Sequence, residues 1–209
     1  SERMLILNNT HKIFFVSKWT MSKFFEDLPF KTKANCEILY PSIKKPIAFN
    51  KRKKKQIVFT GKLNSSKGYD LFGHAVIKIL EKFPDWKATI AGNEPREKYN
   101  FNHKNLKVHN WLPHKKILNL YSQSSISVVP SRWEEPFGRT SMESAANGCA
   151  TITSSRGGLP ETFDNDLILN KLTSNQIFLM LKKLITKPKL LKKIQLRNFN
   201  NLVHKIENL

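Results

Sequence analysis

The sequence predicts an α/β fold: a parallel sheet with helices on both faces. Three observations predict it. Short apolar segments of strand length alternate with longer amphipathic segments from residue 56 to residue 186. The clearest amphipathic stretch, Tyr69 to Phe83, places Leu71, Phe72, Ala75, Val76, Ile79 and Leu80 on one stripe. Finally, the junctions from strand to helix carry clustered glycine, proline and polar residues, as turns between such units do.

Along the chain, Lys12 to Val16 reads as a buried strand, Ser17 as a helix N-cap, and Lys18 to Leu28 as a helix with Phe24, Phe25 and Leu28 on its apolar face. Cys36 to Tyr40 is a short strand. Pro41 to Pro46 and the basic run Lys51-Arg52-Lys53-Lys54-Lys55 form a loop, the run reading as a solvated linker or a polyanion patch. Residues 1–50 are too few for a core of their own and should either dock on the residues after them or end another unit.

A nucleotide-fold unit is expected over 51–186. Its strands are Gln56 to Thr60, Lys87 to Ala91, Leu106 to His109, Ile126 to Val129, Cys149 to Thr153 and, weakly, Leu167 to Leu169. Its helices are Tyr69 to Phe83, Pro113 to Ser124, Gly138 to Asn147 and Thr173 to Thr186. Residues 187–209 read as a basic helical tail with Leu190, Leu191, Ile194, Leu202 and Ile206 to bury.

The 209 residues hold 36 Lys+Arg against 16 Asp+Glu, a net charge of +20. Such a charge concentrates anions, and nucleic acid, an anionic membrane surface and phosphorylated small molecules are the candidates. Nucleic acid is disfavoured, because the basic residues lack interleaved aromatics and no recognised binding motif occurs. No apolar run reaches the length of a spanning helix, and the start Ser1-Glu2-Arg3-Met4 carries no secretory signal. The expectation is a reduced, cytoplasmic chain, with peripheral contact at the inner face of a membrane as an option. Cys36 and Cys149 make no metal or redox pair, and the six histidines (His11, His74, His103, His109, His114, His204) fall in no zinc-like spacing, so each reads as structural or solvated. No metal site is expected.

Ligands of such sheets bind outside the carboxyl ends of the strands. Three loops there are unusual. Gly61-Lys62-Leu63-Asn64-Ser65-Ser66-Lys67-Gly68 combines glycines, lysines and a following helix N-terminus, which together suit an anion. It is not a Walker A loop, since no Lys-Ser/Thr pair closes it. The second loop, Pro130 to Gly138, sets Glu135 before a helix whose second turn carries Glu143, and Gly138 leaves the helix mouth open to an oxygen-rich ligand. In the third, Gly157-Gly158-Leu159-Pro160-Glu161, paired glycines allow close backbone approach to a ligand or a plain turn. Together the loops are expected to form one pocket with lysines on one side and carboxylates on the other, suited to a phosphorylated, hydroxyl-rich ligand.

Glu135-x7-Glu143 with its internal Pro136-Phe137-Gly138, preceded by Pro130-Ser131 and followed by Ala145, Gly148 and Gly157-Gly158-Leu159-Pro160-Glu161, resembles the donor-binding half of a family 4 (group 1) glycosyltransferase. Gly61-Lys62-Leu63 and Lys67-Gly68 are similar to that family's diphosphate loop, so the resemblance covers about residues 55 to 185. It implies the Rossmann-like C-terminal half of a GT-B fold. Phe14 to Trp19 resembles the last strand and helix of the acceptor domain, and Ile38 to Pro41 the passage into the linker.

The resemblance also implies retaining transfer of a sugar from a nucleotide-diphosphate donor (UDP-, GDP- or ADP-linked) to a hydroxyl of a saccharide, lipid or small molecule, without a metal. Lys62 and Lys67 would meet the charge of the departing diphosphate. Glu143 would hold the ribose hydroxyls, Glu135 those of the donor sugar, and the backbone around Pro136, Phe137 and Gly138 the sugar or phosphate. The base would lie by the Ala91-Gly92 and Trp111-Leu112-Pro113 loops. Two departures stand out. Lysine occupies position 62, where the family usually has arginine, replacing a bidentate fork with a point charge. Most of the acceptor domain is also absent, so this polypeptide alone is expected to bind donor with little or no transfer. A non-catalytic nucleotide-sugar or polyanion-binding module, and an epimerase of GT-B shape, are the competing readings.

Overall fold

The computed structural model describes residues 2–28, 35–43, 48–164 and 166–207, with side chains to residue 201. Its main body is a five-stranded parallel sheet. The strands are β3 (Lys54–Thr60), β4 (Lys87–Ala91), β5 (Leu106–His109), β6 (Ser124–Val129) and β7 (Ala150–Thr153), in the spatial order β5-β4-β3-β6-β7. Alternation along β3 builds both sides of the core. Ile57 and Phe59 pack with α3 (Tyr69–Lys82) and α6 (Ser174–Thr186), while Val58 packs with Tyr121 of α4 (His114–Gln123) and with Cys149. The expected Rossmann-like α/β class is therefore what this chain folds into.

The strand order reverses between β3 and β6. A crevice opens there at the carboxyl ends of the two strands, and in open parallel sheets that is where ligands bind.

Residues ahead of the sheet form a small unit: α1 (Glu2–Asn9), β1 (Lys12–Phe15), α2 (Lys18–Phe25) and β2 (Asn35–Ile38), with β1 and β2 parallel. Phe15, Phe24 and Phe25 pack ring against ring at 5.2 to 6.1 Å, so the expected apolar face of α2 is present. The helix ends at Phe25, short of Leu28, where Asp27 takes a positive φ of 63°. Helix α1 has no counterpart in the sequence pattern, because its Leu5 and Ile6 stay exposed and it is barely amphipathic.

Two expectations are corrected. The basic run is not a solvated linker throughout. Lys54 and Lys55 begin β3, and the Lys53 ammonium donates to the carbonyls of Tyr121 (3.1 Å), Ser122 (3.0 Å), Ser124 (2.9 Å) and Asn147 (2.8 Å). Leu167 to Leu169 contributes only a bridge, Thr153 to Ile168, although Leu167 and Leu169 are buried. The expected C-terminal helix is present as α7 (Pro188–Glu207), which packs on α5 (Arg139–Ala146) and β7. Leu191 and Ile194 are buried, Gln195 Nε2 donates to Ser125 O at 3.0 Å, and Asn198 Nδ2 donates to Cys149 O at 2.8 Å. The side chains of Leu202, His204 and Ile206, and residues 44–47, lie outside the described residues.

Candidate functional site

The crevice between β3 and β6 is a cleft of about 390 Å³. Thr60 and Gly61 line it from β3 and its loop, Val129 and Ser131 from β6 and its loop, and Lys67 from the 3-10 turn Ser65–Lys67. Asn64 caps that turn by accepting from Lys67 N at 3.0 Å, which fixes where the Lys67 side chain starts. Across the cleft, Glu135 Oε1 accepts from Lys67 Nζ at 2.5 Å and from Ser131 Oγ at 2.9 Å. Cation and carboxylate thus face the same space. Pro136, Phe137, Gly138, Arg139 and Thr140 carry the lining onto the start of α5, whose first amides have no partner within the helix.

Two loops are braced by bare backbone. A Cβ on Gly92 would lie 1.7 Å from Gly61 O, so only glycine lets the loops after β3 and β4 approach this closely. A Cβ on Gly157 would lie 2.1 Å from Glu135 O, and Gly157 has φ +59°. Gly158 N then donates to Glu135 O at 2.7 Å. The paired glycines therefore support the Glu135 loop from behind instead of opening toward a ligand.

The one pocket expected for both carboxylates is two adjoining cavities. Glu143 is buried in a second groove of about 240 Å³ with Ser42, Ile43, His114, Leu118 and Asn147, and Arg139 lines both. His114 Nε2 lies 3.1 Å from Glu143 Oε1, and Arg139 donates to the same oxygen at 3.3 Å. His114, expected to be structural or solvated, is an exposed side chain whose ring meets the Glu143 carboxylate. Its place as the first residue of α4, just past the Leu112 loop, was the signal available in sequence. Arg139 was missed too, although the residue after Gly138 must sit at the mouth of α5.

Of the remaining candidates, Lys62 is exposed one residue beyond the cleft-lining Gly61. Gly92 is buried and Leu112 half-buried, and neither lines either cavity; Gly92 N donates to His109 O at 3.0 Å, which joins the loops after β4 and β5. Beside them Glu94 is held by Arg96 at 2.7 Å, and the charged hydrogen bonds of Arg96 push its carboxyl down to about 2. Among the described residues no group of three or more His, Cys, Asp or Glu side chains could hold a metal ion.

The family profile described as "Glycosyl transferases group 1" matches residues 42–200, most of the chain, with Glu135 and Glu143 inside the match. The chain belongs to the group 1 glycosyl transferases. Among curated relatives, the Bacillus subtilis protein YtcC, named as a glycosyltransferase, is 30% identical over 127 residues, 54% of this chain and 31% of its own length. One subunit of the human phosphatidylinositol N-acetylglucosaminyltransferase is 28% identical over 132 residues, 59% of this chain and 27% of its own. The chain thus spans about a third of these relatives. Among solved structures, the C-terminal domain of the group 1 protein LpcC from Francisella tularensis superposes with a TM-score of 0.64 at 27% identity, covering 72% of this chain and 84% of that one. Anabaena HepE, solved with UDP-glucose, shares the fold at a TM-score of 0.76 and 13% identity, over 98% of this chain and 64% of that one.

Proposed function

We propose that the chain is the donor-binding part of a retaining glycosyltransferase that takes a sugar from a nucleotide-diphosphate donor. One observation carries this reading: Lys67 and Glu135 face each other at 2.5 Å across a cleft at the strand-order reversal, beside the open amides of α5. A diphosphate entering the cleft takes Lys67 as its counter-charge, with exposed Lys62 closing from the rim. Glu135, released from Lys67, accepts from sugar hydroxyls, and Glu143 in the next groove accepts from the ribose. Cationic side chains meet the leaving diphosphate in this scheme, so no protein-held metal is invoked. That HepE was solved with UDP-glucose supports a nucleotide sugar as the ligand class. Transfer to an acceptor hydroxyl also needs acceptor-binding residues, which the relatives' greater length can supply.

A thermal-shift screen against UDP, GDP, ADP and their common sugar conjugates tests the reading. Ligand at about 100 times its dissociation constant adds about 2.7 kcal/mol, several degrees for a domain of this size. One nucleotide class should raise the melting temperature, and no response to any of them would contradict the proposal.

A second surface supports contact with an anionic membrane at its cytoplasmic face. Lys54, Lys55, Lys87, Lys104 and Lys107 line a groove of about 690 Å³ at the opposite end of the sheet, and its one acid, Asp85, is paired with Lys55 at 2.6 Å. No helix among the described residues is long and apolar enough to cross a membrane. Co-sedimentation with phosphatidylglycerol vesicles, weakened by Lys87→Gln with Lys104→Gln, is the corresponding test; equal binding to neutral vesicles would refute it.

A further inference from the structure

We propose that Glu161 is a positioning residue that fixes the cleft wall formed by Val16 and Pro41. Neither lining residue belongs to the main sheet; both come from the small unit ahead of it. Pro41 directly follows Tyr40, whose hydroxyl Glu161 holds, and Val16 stands two residues before Lys18, whose amide Glu161 holds. Glu161 Oε2 accepts from Lys18 N at 2.7 Å and from Tyr40 OH at 2.9 Å, while Oε1 accepts from Trp19 N at 2.8 Å.

The first amides of α2 have no partner inside the helix, and a negative charge there is favoured by the helix dipole. One carboxylate therefore supplies what the helix end lacks and clasps the Tyr40 strand exit as well. Burial of Tyr40, with the Glu161 charge accepting its hydroxyl, pushes that phenol up to about 12. The buried Ser17 completes the junction by donating to Pro136 O at 2.6 Å, within the Glu135 loop itself. Its neighbour across the joint is Gly158, where an added Cβ would lie 3.0 Å from Ser17 Cβ. The glycines brace the Glu135 loop, and the glutamate three residues on ties the facing wall to it.

Three acceptor contacts need both oxygens of a carboxylate. An amide has one oxygen and would turn an NH2 toward a backbone N–H. Because Val16 and Pro41 stand by Pro136 and Phe137, the wall bears on the sugar end of the proposed donor. The inference rests on the donor reading for that consequence alone.

The test pairs hydrogen exchange with affinity in Glu161→Gln and in the milder Tyr40→Phe. In Glu161→Gln, exchange at Lys18 and Trp19 should rise about ten- to hundredfold, the loss expected for hydrogen bonds to a charged group, while β3 to β7 keep their rates. Affinity for the nucleotide sugar should fall while that for the bare nucleoside diphosphate holds. Tyr40→Phe should loosen residues 35–43 in the same pattern but less. Unchanged exchange at α2, loosening spread evenly over the chain, or equal loss of both ligands would overturn the proposal. Exchange is read without nucleotide, so failure of every nucleotide to bind the unaltered chain counts against the donor site only.

Discussion

Lys67 Nζ and Glu135 Oε1 meet at 2.5 Å from loops 68 residues apart, with both side chains largely shielded from solvent. Without ligand each neutralises the other. The proposed roles then separate by substitution. Lys67→Ala should weaken nucleoside diphosphate binding by about tenfold, the loss of one charge-assisted contact. Glu135→Gln should leave that affinity within about threefold and weaken the sugar conjugate instead. Calorimetry with both ligands checks the split.

Lys53 should prove structural. Its ammonium joins the end of α4, the start of β6 and the end of α5 through four carbonyls, two of which also accept from Cys149 Sγ. Lys53→Met keeps the stem but leaves these acceptors short of a donor, so urea unfolding should show a loss of about 2 to 4 kcal/mol. Lys51→Met, at an exposed neighbour, should change stability by less than about 0.5 kcal/mol.

Asp70 and Arg132 set an acid limit. Burial raises the Asp70 carboxyl, but the hydrogen bonds and charge of Arg132 at 2.7 Å outweigh it and leave the pKa below its usual 3.8. A depressed folded-state pKa contributes stability that is full above 3.8 and is lost as pH falls through the lower folded value. The pair is partly exposed, so about 1 kcal/mol is at stake. Denaturant melts from about pH 5 down to about pH 2.5 should show Asp70→Asn less stable than the unaltered chain at the upper end, the difference closing at the acid end.

Gly157→Ala should cost more than Gly61→Ala. At Gly157 the methyl meets Glu135 O at 2.1 Å on a left-handed backbone; at Gly61 it meets nothing within 4 Å, leaving only backbone strain. A loss of about 2 to 4 kcal/mol at Gly157, with a displaced Glu135 loop, against about 1 to 2 kcal/mol at Gly61, is the expected order in thermal melts.

The sheet was legible because β4 falls on the apolar run that predicts it, because β5 coincides with the alternating segment Leu106 to His109, and because helix stripes such as that of α3 repeat cleanly. The loop that carries Glu135 and the start of the helix that carries Glu143 were legible from glycine and proline placement. Contacts across the chain were not. Nothing in a lysine run tells that its third member reaches four carbonyls, and a histidine at a helix start marks a place beside the Leu112 loop without naming the carboxylate 29 residues on that it faces. The separation of Glu135 and Glu143 into two cavities was equally hidden, since eight residues span a loop and the second turn of α5, and Arg139 is the residue that lines both.

Glu143 tests the central claim most directly, because it is buried in a groove of its own and its carboxylate contacts run to His114 and Arg139, away from Lys67 and Glu135. The measurement is calorimetric titration of the nucleoside diphosphate chosen by the thermal screen into the unaltered chain and into Glu143→Ala, at low and at physiological salt. A donor site that reads the ribose through this carboxylate predicts an affinity loss of about tenfold or more at both salt concentrations. Equal affinities for the two proteins, falling together as salt rises, would show that the chain binds the nucleotide only as a polyanion, and would contradict the account.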